Sequence, residues 1–239
     1  MFPLQDTVPA RGVPLVTWGL ILVNSLVFLF ELSLPDRQQE HLFYLFGLVP
    51  ARYSHPEWAY WVGLRWDDYW PFLTCTFLHG GWLHLVGNMW SLYLFGDNVE
   101  DRMGSGRFLA FYLLCGLAAS LTHYLTNRDS TLPTIGASGA VAGVMGAYLL
   151  LFPAARVITL VPVFFWPLFV EIPAVFYLGL WYLSQLLNGV VALHAPAPYG
   201  DVAWWAHVGG FVTGVVLLPL FKQPRRRYRH PYPDEYWPW

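Results

Sequence analysis

Hydrophobic residues in this 239-residue chain are gathered into six segments, which polar or proline-rich stretches separate. A helix rises about 1.5 Å per residue and needs about 20 apolar residues to cross about 30 Å of hydrocarbon. Several segments are only marginally long, which suits a thinned bilayer or helices that lie among neighbours. The predicted spans are residues 15–34, 78–95, 108–124, 135–152, 170–193 and 202–220. The pattern therefore predicts an all-α membrane protein, a bundle of six transmembrane helices.

The stretches outside these segments differ in character. Residues 35–71 are rich in tryptophan and tyrosine, whose rings favour the headgroup level, so we predict a membrane-associated loop between the first two spans. Residues 157–166 are apolar but broken by Pro162 and followed by Pro167, which predicts a lead-in to the fifth span. Residues 1–220 then form the membrane domain, with an uncleaved first span. Residues 221–239 form a basic and aromatic cytoplasmic tail that we expect to be disordered.

Composition supports the membrane assignment and excludes several other classes. Only 12% of residues are charged, against about a quarter in soluble domains. The net charge is −2, and no basic stripe outside the tail could follow a phosphate backbone, so no nucleic-acid partner is expected. Cys75 and Cys115 fall in different apolar segments, which indicates neither a disulfide framework nor a metal site. We predict no cofactor and no metal, with the lipid bilayer as the surrounding partner.

The distribution of lysine and arginine predicts the orientation, because cytoplasmic loops carry an excess of both. With both termini inside, nine of the 13 basic residues fall on the inner side and four on the outer side. The inner set is Arg11, Arg102, Arg107, Arg156, Lys222, Arg225, Arg226, Arg227 and Arg229. The outer set is Arg37, Arg52, Arg65 and Arg128. We therefore place the termini in the cytoplasm, in a plasma membrane of bacterial type.

Polar residues lie near the start of three spans that this orientation runs from outside to inside. His84 and Asn88 are early in the second span, Ser138 is early in the fourth, and His207 is early in the sixth. The helical rise puts all four about 5–10 Å below the outer ends of their helices. Three helices thus bring polar side chains to one depth, on the outer side of the membrane.

Ser138 lies at the start of a helix between two glycines, Gly136 and Gly139. A serine there can be a simple N-cap, or it can bond back to its own helix. The flanking glycines also permit a tight turn and the close approach of another backbone. The free N–H groups of a helix N-terminus could stabilise an oxyanion. Ala140 excludes the Gly-x-Ser-x-Gly pattern of soluble hydrolases.

Small residues predict that the helices of Ser138 and His207 pack closely. Gly139 and Gly143 form one GxxxG pair, and Gly210 and Gly214 form another just after His207. A histidine inside a span is a functional candidate, although it can also be a satisfied structural residue.

His84 and Asn88 share one helix face because they are four residues apart. Asparagine is a poor transition-metal ligand, so two donors aimed at a developing negative charge suit this spacing better than a metal does. The alternative is a pair of polar residues that holds helices together.

These segments together resemble the signature of the rhomboid intramembrane proteases. The resemblance covers residues 77–88, Gly-Ala-Ser-Gly at 136–139, and Ala-His with its following glycines at 206–214. Residues 99–107 resemble the turn that follows the family's second span, and the likeness extends over about residues 72–220.

The resemblance implies a six-helix fold and a serine endopeptidase that cleaves single-span membrane proteins at a Ser-His dyad. It implies that Ser138 attacks and that His207 is the base. His84, Asn88 and the Ser138 N–H would hold the oxyanion. Glu100 and Arg102 would serve structure, and the 35–71 loop would be a membrane-embedded hairpin.

Two positions depart from the family pattern. Pro71 follows Trp70 where the family often has arginine, so we expect a hydrogen-bonding anchor of the loop to be missing. Ala142 stands where some members stack an aromatic ring under the histidine, so other residues have to position His207.

Other classes fit the sequence less well. No His-Glu-x-x-His motif occurs, and Asp201 lacks a second buried aspartate for an aspartyl dyad. An inactive rhomboid-like protein that binds membrane clients would be expected to lack the serine or the histidine. A small transporter would show inverted repeats and broken helices. The oligomeric state and the substrate's identity carry no sequence signal.

Overall fold

A computed structural model describes residues 2–9, 12–163, 166–194 and 202–223 of the chain. The described part is mostly helical. Its α-helices are α1 Leu15–Ser33, α2 Asp36–Phe46, α3 Ala51–Ser54, α4 Pro56–Trp61, α5 Pro71–Thr74, α6 Trp82–Met103, α7 Ser105–Thr126, α8 Ser138–Leu151, α9 Ala174–His194 and α10 Trp204–Phe221. A 3₁₀ turn covers Cys75–Phe77. Three strands complete it, namely β1 Phe2–Asp6, β2 Arg156–Val163 and β3 Trp166–Pro173. Asp201 and most of the predicted tail lie outside the described residues.

Each of the six predicted spans overlaps one helix, namely α1, α6, α7, α8, α9 or α10. Four of these helices are long and apolar enough to cross a membrane: α1, α7, α9 and α10. Helix α8 is apolar but has only 14 residues, and the end of α6 carries the charged run from Asp97 to Arg102. The six-span count therefore stays a prediction, while the helical, membrane-type fold is present.

Helix α8 is the centre of the bundle, packed by α6, α7 and α10. Ten of its 14 residues are buried, as expected for a helix that is apolar on every side. A Cβ on Gly210 would lie 2.0 Å from the Gly139 carbonyl oxygen, and a Cβ on Gly214 would lie 1.9 Å from that of Gly143. No side chain fits at these distances, so the α8 and α10 backbones touch only because both positions are glycine.

Glu100, near the end of α6, binds the first turn of α1. Its carboxylate accepts hydrogen bonds from the backbone N–H groups of Val16 (3.0 Å) and Thr17 (2.8 Å) and from the Thr17 hydroxyl (2.8 Å). The Ser105 hydroxyl donates a further bond of 2.6 Å. A carboxylate at a helix N-terminus satisfies free N–H groups and the positive end of the dipole. The nearby Arg102 guanidinium lies over the Phe152 ring, 5.9 Å from its centroid.

The prediction of an all-α fold is wrong in one region, because residues 156–173 form a β-hairpin instead of a lead-in to a helix. Strands β2 and β3 pair antiparallel from Arg156↔Pro173 to Val163↔Trp166, and β1 adds to β2 as a third strand. Valine, isoleucine and threonine favour strands, whereas the prolines exclude a helix. Pro162 has no N–H to donate to a neighbouring strand. It is tolerated in β2 because β1 pairs only with residues 157–160 and leaves Pro162 unpaired on that side. Helix α9 consequently starts at residue 174 and not at 170.

Strand β1 is attached to the bundle through Asp6. Its carboxylate accepts hydrogen bonds from the Tyr148 hydroxyl on α8 and from the Asn98 side-chain amide on α6, the latter at 2.9 Å. Burial raises the pKa of Asp6 above its usual range. The sheet therefore lies at the end of α8 opposite Ser138.

We expect Gly210→Ala to destabilise the protein, because its methyl group would overlap the α8 backbone. Overpacking of this kind costs about 1–3 kcal/mol, so the thermal unfolding midpoint in detergent should fall. Gly179→Ala is the matched control, since a Cβ there meets nothing within 4 Å. Equal midpoints for the two variants would show that α8 and α10 are not held at backbone contact.

Candidate active site

Ser138 and His207 meet across the glycine contact between α8 and α10. Ser138 is the first residue of α8, and His207 lies in the first turn of α10. The serine Oγ and the histidine Nε2 are 2.7 Å apart, a hydrogen-bonding distance. His207 is buried, with 9% of its surface exposed. The pair has the geometry of a nucleophile and its general base.

The second nitrogen of His207 is bound by a residue that the sequence analysis did not identify. Gln185 on α9 lies with its Oε1 2.8 Å from His207 Nδ1. The Trp181 ring, one turn earlier on α9, lies 5.9 Å from the imidazole centroid at an angle of 35°. A buried amide in an apolar helix was the one available signal. These two side chains hold the imidazole where Ala142 offers no ring.

His84 and Asn88 lie beside the turn that leads into Ser138. Gly136 has a φ of +128°, a conformation that favours glycine. A Cβ on Gly136 would lie 2.5 Å from His84 Nε2 and 3.7 Å from Asn88 Nδ2. Both side chains therefore come close to the backbone two residues before the serine. The structure brings together the four side chains that the sequence singled out.

Asn88 is held by His79, which is held in turn by Glu31 on α1. Its side-chain amide donates a 3.1 Å hydrogen bond to His79 Nε2, and the rings of His79 and His84 are 5.1 Å apart, edge to face. The His79 backbone N–H is 3.3 Å from both carboxylate oxygens of Glu31. From the sequence, His79 was expected only as part of the motif, and Glu31 was not expected at the site. One amide hydrogen of Asn88 is used here, which leaves the second for another acceptor.

A small cavity of about 20 Å³ adjoins Ser138, which is enough for a water molecule. Its lining includes the polar side chains of Thr76, Ser120, His123 and Thr134. Thr134 and His123 Nε2 are 2.8 Å apart, so this wall is organised by hydrogen bonds. The cavity offers polar partners to water directly behind the serine.

The loop between α1 and α6 is anchored by Arg52, in place of the arginine that the family often has at the position of Pro71. Arg52 is 1% exposed and donates hydrogen bonds to the carbonyls of Arg65 (2.6 Å) and Leu45 (3.1 Å) and to Asp68 (3.1 Å). This buried cation joins α2 and α3 to the turn that follows α4. Sequence reasoning counted Arg52 only as an outer charge.

The same loop is bonded to the segment that enters the site. Leu48 and Thr134 exchange two backbone hydrogen bonds, of 2.9 Å and 2.8 Å. The Gly136 N–H then donates to the Cys75 carbonyl at 2.8 Å. The turn before Ser138 is therefore fixed from two sides.

One family model matches well over half of the chain. The family model described as "Rhomboid domain" matches residues 67–224. The chain belongs to the Rhomboid family. This confirms the resemblance drawn from the motifs, and with four membrane-capable helices the chain is an integral membrane protein.

Relatives in the family come from bacteria and from plant organelles. The rhomboid protease GluP of Bacillus subtilis (strain 168) is 42% identical over 140 residues, which are 58% of this chain and 25% of GluP. RHOMBOID-like protein 6, mitochondrial, of Arabidopsis thaliana is 30% identical over 163 residues, 66% of this chain and 46% of the relative. Rhomboid-like protein 11, chloroplastic, from the same plant is 25% identical over 207 residues, which are 84% of this chain and 66% of the relative. The chain thus spans less than half the length of the first two relatives.

We expect Gly136→Ala to slow the reaction of Ser138 with a fluorophosphonate by about 10- to 100-fold. The methyl group would displace His84 and strain the turn, and small displacements at a reacting centre have effects of this size. The labelling rate is followed by mass spectrometry. Gly87→Ala on α6 is the control, because a Cβ there meets nothing within 4 Å. An unchanged rate for Gly136→Ala would mean that the turn plays no part in serine reactivity.

Proposed function

We propose that this protein is an intramembrane serine endopeptidase that hydrolyses a peptide bond in or near the transmembrane segment of a membrane-protein substrate. The observation that carries the proposal is the 2.7 Å contact between Ser138 Oγ and His207 Nε2, with Nδ1 bound on its other side. A histidine bound at both nitrogens is oriented to take the serine proton.

Acylation begins when Ser138 Oγ attacks the scissile carbonyl carbon and its proton passes to His207 Nε2. The carbonyl oxygen becomes an oxyanion, for which His84, Asn88 and the Ser138 N–H are the donors. Ser138 is the first residue of α8, so its N–H is one that a helix leaves without an intrahelical partner. As the C–N bond breaks, His207 returns the proton to the leaving amine, and an acyl-serine remains.

Hydrolysis of the acyl-serine needs one water molecule. His207 takes a proton from that water as its oxygen attacks the ester carbonyl, and then gives the proton to the departing Ser138 oxygen. The polar cavity behind Ser138 is a suitable reservoir, because its hydroxyl and imidazole groups can hold water next to the reaction. No cofactor takes part in either half of the reaction.

The substrate class that we propose is based on where the four side chains lie. All belong to the starts of α6, α8 and α10, which the arginine distribution assigns to the outer face, with both termini inside. The scissile bond then lies near the outer end of a single-span client whose N-terminus is outside. An intact helix hides its carbonyls, so the client must unwind locally, which glycine or proline favours. The narrow approach at Gly136 and Gly139 suits a small residue before the cut.

Ser138→Ala should abolish cleavage of such a client while the protein stays folded, because only one hydroxyl is lost. His207→Ala should be as inactive, since groups that act as a unit are not additive. The assay uses proteoliposomes that contain a single-span client, and the fragment mass identifies the bond. Ser91→Ala is the control, because Ser91 is a half-buried serine whose hydroxyl bonds back to the Gly87 carbonyl of its own helix.

Two results would contradict the proposal. Normal cleavage by Ser138→Ala would show that Ser138 is not the nucleophile. Cleavage at the cytoplasmic end of the client would contradict the predicted orientation of the protein in the membrane. A folded wild type that retains the client without cutting it would instead indicate an inactive, client-binding member of the family.

Asn88→Ala and His84→Ala should each lower turnover by about 10- to 1000-fold, as the loss of one oxyanion donor typically does. Both variants should keep a fluorophosphonate-reactive serine, because the dyad is intact. Asn188→Ala, which removes an exposed amide on α9, should not change turnover. If either of the two changes on α6 left the rate untouched, that residue would hold helices together and would not act on the oxyanion.

A further inference from the structure

The Gln185 side chain has one defined amide orientation. Its Nε2 lies 3.3 Å from the Trp181 carbonyl and 3.0 Å from the Ser184 hydroxyl. The Ser184 hydroxyl donates its own hydrogen to the Trp181 carbonyl at 2.6 Å, so toward Gln185 it can only accept. Both neighbours of Nε2 are therefore acceptors. The amide oxygen is left facing His207.

This orientation selects the tautomer of the histidine. An amide oxygen can only accept, so the His207 nitrogen that lies 2.8 Å from it, Nδ1, carries the hydrogen. The neutral imidazole then has its lone pair on Nε2, which faces the Ser138 hydroxyl at 2.7 Å. The other tautomer would oppose two lone pairs at Gln185 and present an N–H to the serine. Only the first tautomer can accept the serine proton.

A neutral acceptor suits this buried position. Gln185 is 7% exposed and His207 is 9% exposed. A carboxylate there would lose its hydration and would hold a proton on the imidazole, whereas an amide orients the ring without adding charge. Among the described residues, the other ionisable side chains that act electrostatically on His207 are the imidazoles of His84 on α6 and His123 on α7.

We propose that Gln185 is the positioning residue of the dyad, which fixes His207 in the tautomer that accepts the serine proton. This inference rests on the proposed function of the same site and adds a third residue to it. Helix α9 thereby acts on the chemistry through a side chain that bonds to the His207 imidazole. Its neighbour Trp181 limits the tilt of the same ring.

The test compares Gln185→Leu and Gln185→Glu in the cleavage assay, with kcat and KM measured over about pH 5 to 9. Leucine has a similar volume but no acceptor, so kcat should fall about tenfold, the usual contribution of one neutral hydrogen bond, with KM little changed. Glutamate keeps an acceptor, so kcat should recover at high pH. Its charge stabilises the protonated imidazole, so the acid limb of the kcat profile should move to higher pH. Asn188→Leu is the control, because it also replaces an amide by leucine, at an exposed position about one turn further along α9. Its kcat and pH profile should match those of the wild type.

Three outcomes would overturn the inference. One is a wild-type kcat and pH profile for Gln185→Leu, and another is an effect on KM alone. If Gln185→Leu does not fold, Gln185→Glu decides, because an unmoved acid limb shows that residue 185 does not act on the histidine. A wild type without Ser138-dependent cleavage would instead refute the proposed function, whereas active wild type with unaffected Gln185 variants refutes only this inference.

Discussion

The structure depends on the backbone contact between α8 and α10. Two helices approach this closely only where side chains are absent, and Gly210 and Gly214 supply that absence on α10. On α8, Gly139 and Gly143 leave room chiefly for Ala119 and Cys115 of α7. The contact decides the distance between the first turns of the two helices, where the serine and the histidine lie. In a membrane, helix association relies on such packing because lipid is as apolar as the helices. The same feature therefore gives the bundle its centre and the site its geometry.

Around this contact, Asn88 and His207 are held by residues from other parts of the bundle. Glu31 on α1 fixes the His79 backbone, which in turn supports Asn88 on α6. Gln185 on α9 fixes the imidazole on α10. Buried polar atoms are costly unless they are paired, so these long-range bonds stabilise the fold while they orient the groups that would react. The site is consequently a property of the whole bundle and not of one motif.

The parts of this arrangement that were predictable are those with a local signature. Six apolar segments predicted where six of the helices lie, and the motif around Ser138 and His207 predicted which side chains meet. The β2–β3 hairpin is local, but its apolar residues were interpreted as a lead-in to the fifth span, because a short apolar run does not by itself distinguish a strand from a helix. Strand β1 joins β2 across about 150 residues, and no local pattern announces a pairing of that range. Gln185 and Arg52 were missed for the same reason. Each looks like an ordinary polar residue until the tertiary fold shows what it faces.

The most direct test of the central claim is to treat purified protein with a fluorophosphonate and to map the adduct by mass spectrometry. If Ser138 is activated by His207, the wild type should carry one adduct, on Ser138, and His207→Ala should carry none under the same conditions. An adduct on another residue, or equal labelling of Ser138 in the absence of His207, would contradict the account.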